Sequence, residues 1–426
     1  SNNTAVGHNA LKECTSGSSN VAVGANCLDA STTGALNTAV GKNAATAITT
    51  ADRCEAFGFE ALKSVTTGDY NIGIGNAAGD AITDGTGNVC IGHSAFGAGT
   101  GSYNNAIGIS ALSNCTGSYN TAIGRNAAAS ITSGQYNVAV GDYALDAQTT
   151  PSGNTAVGYN AAGATTTGTQ ITALGNESLR SNTTGARNIG LGCHSLYTCG
   201  VGDDNIAGGH NTLYYLTSGD KNAAIGNGAG QDVTTGSNNV FMGYDAGFNV
   251  TTSQDHTFVG AYAGYTCTNQ SHNTYIGSYS GYYQTNSGNT VVGYRAFQGS
   301  SSANGYSNTV MGYSAAKDAE TGTNNSTVIG YEAGKGGTTS GSNTWVGYQA
   351  GVLNTTGGNN VVVGYYSGRN ISTGDSNVLI GTNVGTYVTN LTTGQRNVLI
   401  GPYARVSSTS VSDAIVIGYN ITDKGA

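Results

Sequence analysis

Apolar and polar positions recur along this chain in a short beat, Asn-x-small-apolar-Gly. Its closing glycine returns 25 times between Gly7 and Gly418, mostly at steps of 17 residues. With that glycine as position 0, Asn stands at −4 in 20 of the 25 repeats; Cys54, Ile171, His256, Ser326 and Ala414 take its place in the others. Thr, Val or Ile is usual at −3, and a larger apolar residue fills −1 everywhere except Gly208. Ala is usual at +3, and a Thr-Thr-Gly or Thr-Ser-Gly phrase often closes the repeat. Apolar and small residues alternating with period two predict a short strand from −3 to −1. The glycine ends it, and the second glycine phrase predicts another turn. Each repeat therefore reads as strand, turn, shorter strand, turn, one coil of an all-β parallel solenoid or β-roll. A short period held over the whole length marks an array stabilised by its neighbours rather than a set of separate domains. At about 4.8 Å per coil, 25 coils predict a rod of roughly 120 Å.

Stacked coils place like residues above one another. The Asn column, including Asn3, Asn20, Asn37, Asn137, Asn154, Asn222, Asn239, Asn343, Asn360 and Asn377, is expected to form a structural amide ladder. Two other columns change together. Position −2 is Ala, Gly or Cys in the first 14 repeats, then becomes bulky, as at Phe241, Phe258, Tyr275 and Trp345. Position +4 runs the other way, from Leu28, Leu62, Leu112 and Leu145 to Gly247, Gly264, Gly281 and Gly351. Cores respond to single methylenes, so this paired exchange predicts that the two columns share one packed space. The array divides on this basis into residues 1–235, with Ala/Leu packing, and 236–426, with bulky and Gly packing, within one rod.

Tyrosine collects in the second part. Tyr294, Tyr313, Tyr331, Tyr348 and Tyr365 share position +1. They are expected either to stack as a seam or to form an aromatic contact stripe for glycans or another surface. A coil of this size leaves one apolar face uncovered, and a long exposed apolar column is an interaction surface. Parallel association of several copies would bury it.

Composition narrows the partners. Only 9% of residues are charged, the net charge is −8, and the 15 Lys and Arg are scattered, so nucleic-acid binding is not expected. No apolar run is long enough for a transmembrane helix, so no membrane insertion is expected. The eight cysteines fall in small, tight positions and read as filler. Cys193, His194 and Cys199 lie close in sequence without a complete metal-ligand set. His8, His93 and His210 share position +1. No nucleophile–base arrangement, phosphate loop or calcium nonapeptide is present, so neither enzymatic activity nor a cofactor or metal is expected. The array is already under way at Asn3 and breaks off inside a repeat at Lys424–Ala426, which reads as a section of a longer array.

Asn-Thr-Ala-Val-Gly at 3–7, Asn-Val-Ala-Val-Gly at 20–24 and Asn-Val-Leu-Ile-Gly at 377–381 resemble the head repeats of YadA-like trimeric adhesins. The longer phrase, in which Thr-Thr-Gly follows, resembles repeats of phage tail fibres and related virion fibres. The resemblance spans the chain and implies a left-handed parallel β-roll, three chains around an axis, an extracellular location and a role in display or attachment. The partners it implies are further copies of the chain, as a homotrimer, and a cell-surface receptor or glycan. The leading expectation is the shaft of a phage tail fibre or similar virion appendage. The alternatives are a bacterial cell-surface adhesin or extracellular filament and, on the Thr content, an ice-binding solenoid.

Overall fold

The structure, a computed structural model, describes residues 2–300, 304–320, 323–386 and 390–423. These residues form 25 parallel strands of three residues each, one per coil, and no helix. The chain is a parallel β-solenoid with about 17 residues per turn, and it divides into two compact units. One comprises Ser1–Asn211 with Tyr215–Ser218, the other Thr212–Tyr214 with Gly219–Ala426.

In the first unit the strands run from β1 (Thr4–Val6) to β13 (Ile206–Gly208), each pairing in register with the next. Thr4 lies beside Val21 and Ala5 beside Ala22, one full coil apart in sequence. In the second unit β14 (Ala223–Ile225) to β25 (Ile415–Ile417) repeat the arrangement. Each strand after β1 puts its middle residue inward and its two outer residues outward, so the pleat sorts position −2 into the core.

The glycine column has two physical causes. At Gly347 φ is +137°, a conformation that L side chains rarely adopt. A Cβ there would also press on the backbone carbonyl of Gly364 in the next coil, well inside van der Waals contact. The coils therefore stack at strand spacing only because this position carries no side chain.

The second, shorter strand expected in each repeat does not form among the described residues. After the glycine the chain takes tight turns instead, with left-handed residues at +2 and +4, such as Asn26 at φ +55° and Leu28 at +50°. Alternating hands of backbone curl cannot lie in an extended strand. These turns are still bonded to their neighbours: Asn26 N donates to His8 O (2.9 Å) and Leu28 N to Ala44 O (3.2 Å). Each coil thus bonds upward and downward through its turns as well as its strand.

The core of a coil is built from −4, −2, +3, +4 and +7, as at Asn37, Ala39, Ala44, Ala45 and Ile48, all fully or almost fully buried. The paired columns do share one space. A Cβ at Gly73 would come within 2.7 Å of Leu62 Cγ, and one at Gly247 within 2.5 Å of Phe241 Cε1. Phe241 also lies 2.7 Å from where a Gly230 Cβ would be, so its ring fills the places of two missing side chains. Trp345 is wedged in the same way against Gly334 and Gly351. The buried rings pack on one another, Phe241 tilted against Phe258 at 5.6 Å and Phe258 stacked on Tyr275 at 4.8 Å.

Candidate functional site

The outward side of the strands is the most extended surface feature of each unit. Position −1 is apolar, and its side chain points away from the coil's own core. Ile123 and Leu174 in the first unit are 39% and 49% exposed, and Ile225 and Met311 in the second are 51% and 41%. Position −3 lies on the same side; Thr257, Thr274, Thr290, Thr309, Thr327 and Thr344 face one another in register through six successive strands. The surface is a β-face of threonine, valine and isoleucine with no layer packed over it among the described residues.

The tyrosine column borders this face. Tyr294, Tyr313, Tyr331, Tyr348 and Tyr365 stack with ring centroids 5.4, 5.2, 5.0 and 5.2 Å apart. Each remains between 38% and 49% exposed, so the rings form a ladder and present it to solvent at once. Arg295 closes one end, its guanidinium 5.2 Å from the Tyr294 ring. Tyr366 packs edge-on against Tyr348 and Tyr365 at 5.3 and 4.3 Å. Hydrogen bonding to Tyr366 and partial desolvation push the Tyr365 hydroxyl above its ordinary range. These phenols offer hydrogen-bond donors and acceptors along a flat apolar strip.

Two further ladders were not singled out in the sequence, although the same column count finds them. Phe248, Tyr265 and Tyr282 share +5 and stack at 5.3 and 5.0 Å. Tyr103, Tyr119 and Tyr136 share −5 and stack at 5.3 Å per step.

The asparagine column lies inside and is structural in form, with a geometry different from a simple amide ladder. The main link runs from side chain to backbone. Asn3 Oδ1 accepts from Asn20 N, Asn20 Oδ1 from Asn37 N, and Asn137 Oδ1 from Asn154 N, at 2.9 to 3.0 Å. Asn222 serves Asn239, Asn343 serves Asn360, and Asn360 serves Asn377 in the same way. Most of the Nδ2 groups donate to a carbonyl of the next turn, as Asn20 does to Gly34 O and Asn137 to Pro151 O. Direct amide-to-amide bonds join only some pairs, such as Asn239 to Asn222 at 3.0 Å. At one coil His256 replaces the asparagine; its Nδ1 accepts from Asn273 N at 3.3 Å and its ring stacks on Phe258 at 4.6 Å. Burial lowers its pKa to about 4.

All eight cysteines are free. Burial pushes the Cys27, Cys54 and Cys115 thiols up to about 11 and Cys267 to about 12, so these are inert fillers. Arg125 and Asp142, at position +1 of successive coils, form an exposed ion pair at 3.5 Å. No helix of the described residues is long and apolar enough to cross a membrane. A depression lined by His272, Asn286, Ser287, Gly288, Tyr306 and Ser307 is wide open to solvent. No family model matches the chain, and no curated protein is significantly similar to it.

Proposed function

We propose that the chain is a structural fibre segment in which three parallel copies pack their strand faces together, extending and displaying an attachment function outside a cell. The exposed apolar column at −1 carries this reading. It recurs coil after coil on one side of the strands, and an apolar surface of that length belongs between chains rather than in water. The repeat phrase supports the same reading through its resemblance to phage tail fibres, and a virion appendage is the system that fits it best. The exposed tyrosine ladder favours a second setting for such a fibre, a cell-surface adhesin whose shaft itself makes the contact with a glycan or receptor.

Charge placed on the face tests the association. Leu174→Lys and Ile329→Lys alter outward side chains and leave each coil's own core untouched. The double variant is expected to keep its β-sheet circular dichroism and to fall from a multimer to single chains in size-exclusion chromatography. Identical elution of parent and variant as multimers would place the contact elsewhere.

A further inference from the structure

Where the chain passes from one coil to the next near residue 200, three metal-binding side chains converge on the surface. Cys193 stands at +1 of its coil and His194 at +2; His210 stands at +1 of the following coil. Stacking at strand spacing brings Cys193 and His210 together, and a backbone bond from Asn211 N to Cys193 O (3.2 Å) fastens the two coils there. His194 has a left-handed backbone, φ +56°, like other residues of its column. One ligand atom from each of the three residues lies within 4.8 Å of the other two. Cys199, closer to Cys193 in sequence than His210 is, takes no part; it is buried, with Sγ 3.8 Å from Gly202 O.

We propose that Cys193, His194 and His210 form a binding site for a borderline-soft divalent cation, zinc above all, within a single protomer. Thiolate and imidazole are both zinc ligands, and three protein ligands leave the fourth tetrahedral position for water or another ligand. Ligand bonds of about 2.0–2.3 Å require the three atoms to draw together by roughly 1 Å. Rotation about side-chain bonds supplies this, because none of the three side chains is buried. The outer shell is present too. Glu177, one coil earlier in the His194 column, has Oε2 3.2 Å from His194 Nε2, and its Oε1 is 3.5 Å from Arg180 Nε. A carboxylate on one imidazole nitrogen orients the ring and raises the basicity of the other nitrogen, the usual support of a metal-bound histidine.

Cobalt(II) titration of the full, tag-free chain tests the site. One equivalent of Co²⁺ is expected to give tetrahedral d–d bands with a thiolate-to-cobalt charge-transfer band, and Zn²⁺ is expected to displace it. The test variants use residues already found in the same columns. Asn176 and Asn227 occupy +1 in nearby coils and Asn160 occupies +2, so Cys193→Asn, His210→Asn and His194→Asn are compatible with the fold. Cys193→Asn is expected to abolish the charge-transfer band, each histidine variant to weaken binding at least tenfold, and Glu177→Gln to weaken it about 10–100-fold. Circular dichroism checks that each variant remains folded. The site is overturned if the parent shows no charge-transfer band, or if Cys193→Asn keeps it; the latter would assign the thiolate to Cys14, the other cysteine that is not fully buried.

Discussion

At His256 one atypical residue makes the array sensitive to acid. The imidazole replaces an asparagine, is buried, and accepts a backbone hydrogen bond through Nδ1, which requires that nitrogen to be unprotonated. Its pKa falls to about 4 in the folded chain, against about 6.5 when unfolded. The unfolded chain therefore binds more protons in this window, and the stability contributed by the neutral ring is complete above pH 6.5 and lost as pH falls toward 4. The loss amounts to about 3 kcal/mol. Protection factors of the coils around β16 (Thr257–Val259), from hydrogen exchange corrected for the intrinsic rate at each pH, are expected to fall over this range relative to pH 7. His256→Asn, which restores the usual occupant, is expected to remove the difference; equal pH profiles for parent and variant would show that the ring makes no such contribution. The interior place of Asn137 and Asn360 followed from their column. Their main bond, to a backbone N–H rather than to the next amide, did not, because sequence gives no rotamer.

At the scale of the coil, the strand at −3 to −1 was legible because residues such as Thr38, Ala39 and Val40 alternate as a pleat requires. The second strand was expected and is absent. Nothing in Leu28 or Leu62 announces a left-handed backbone, which an L side chain adopts at a cost of about 1–2 kcal/mol. Packing of the leucine inside the coil and the turn's bonds to its neighbours offset that cost. Glycine at the same position in the second unit avoids it, and the bulky residue at −2 fills the space released. This reciprocity predicts a strong coupling. Phe241→Ala alone should leave a cavity costing about 3–5 kcal/mol, and Gly247→Leu alone should clash with the Phe241 ring. Together the two changes put the leucine of the first unit into one of the two places that the Phe241 ring fills, that at Gly247. The double variant is expected to be more stable than the sum of the single effects by about 2 kcal/mol in a denaturant-unfolding cycle. Additive effects would separate the two columns physically. The three-ligand cluster at Cys193 shows the limit of reading neighbours along the chain, because its third member, His210, is a neighbour only through the stack.

At the scale of the molecule, two kinds of surface run along the coils: an apolar strand face and a tyrosine ladder beside it. Their separation can be measured. Tyr313→Ser, Tyr331→Ser and Tyr348→Ser together remove the central rings of the ladder and leave the −1 column intact. Assembled particles that lose binding to a glycan array would assign the ladder to attachment. Loss of assembly would assign it to the seam between chains. Both surfaces follow from a 17-residue coil too small to enclose all its apolar side chains, which is why the fibre reading makes its firmest commitment in the number of chains. The mass of the intact particle in solution, by native mass spectrometry or multi-angle light scattering, tests that commitment most directly. Three times the 42.6 kDa of a single chain is the result expected. A stable species of one chain mass at micromolar concentration, with the strand face still intact, would contradict it.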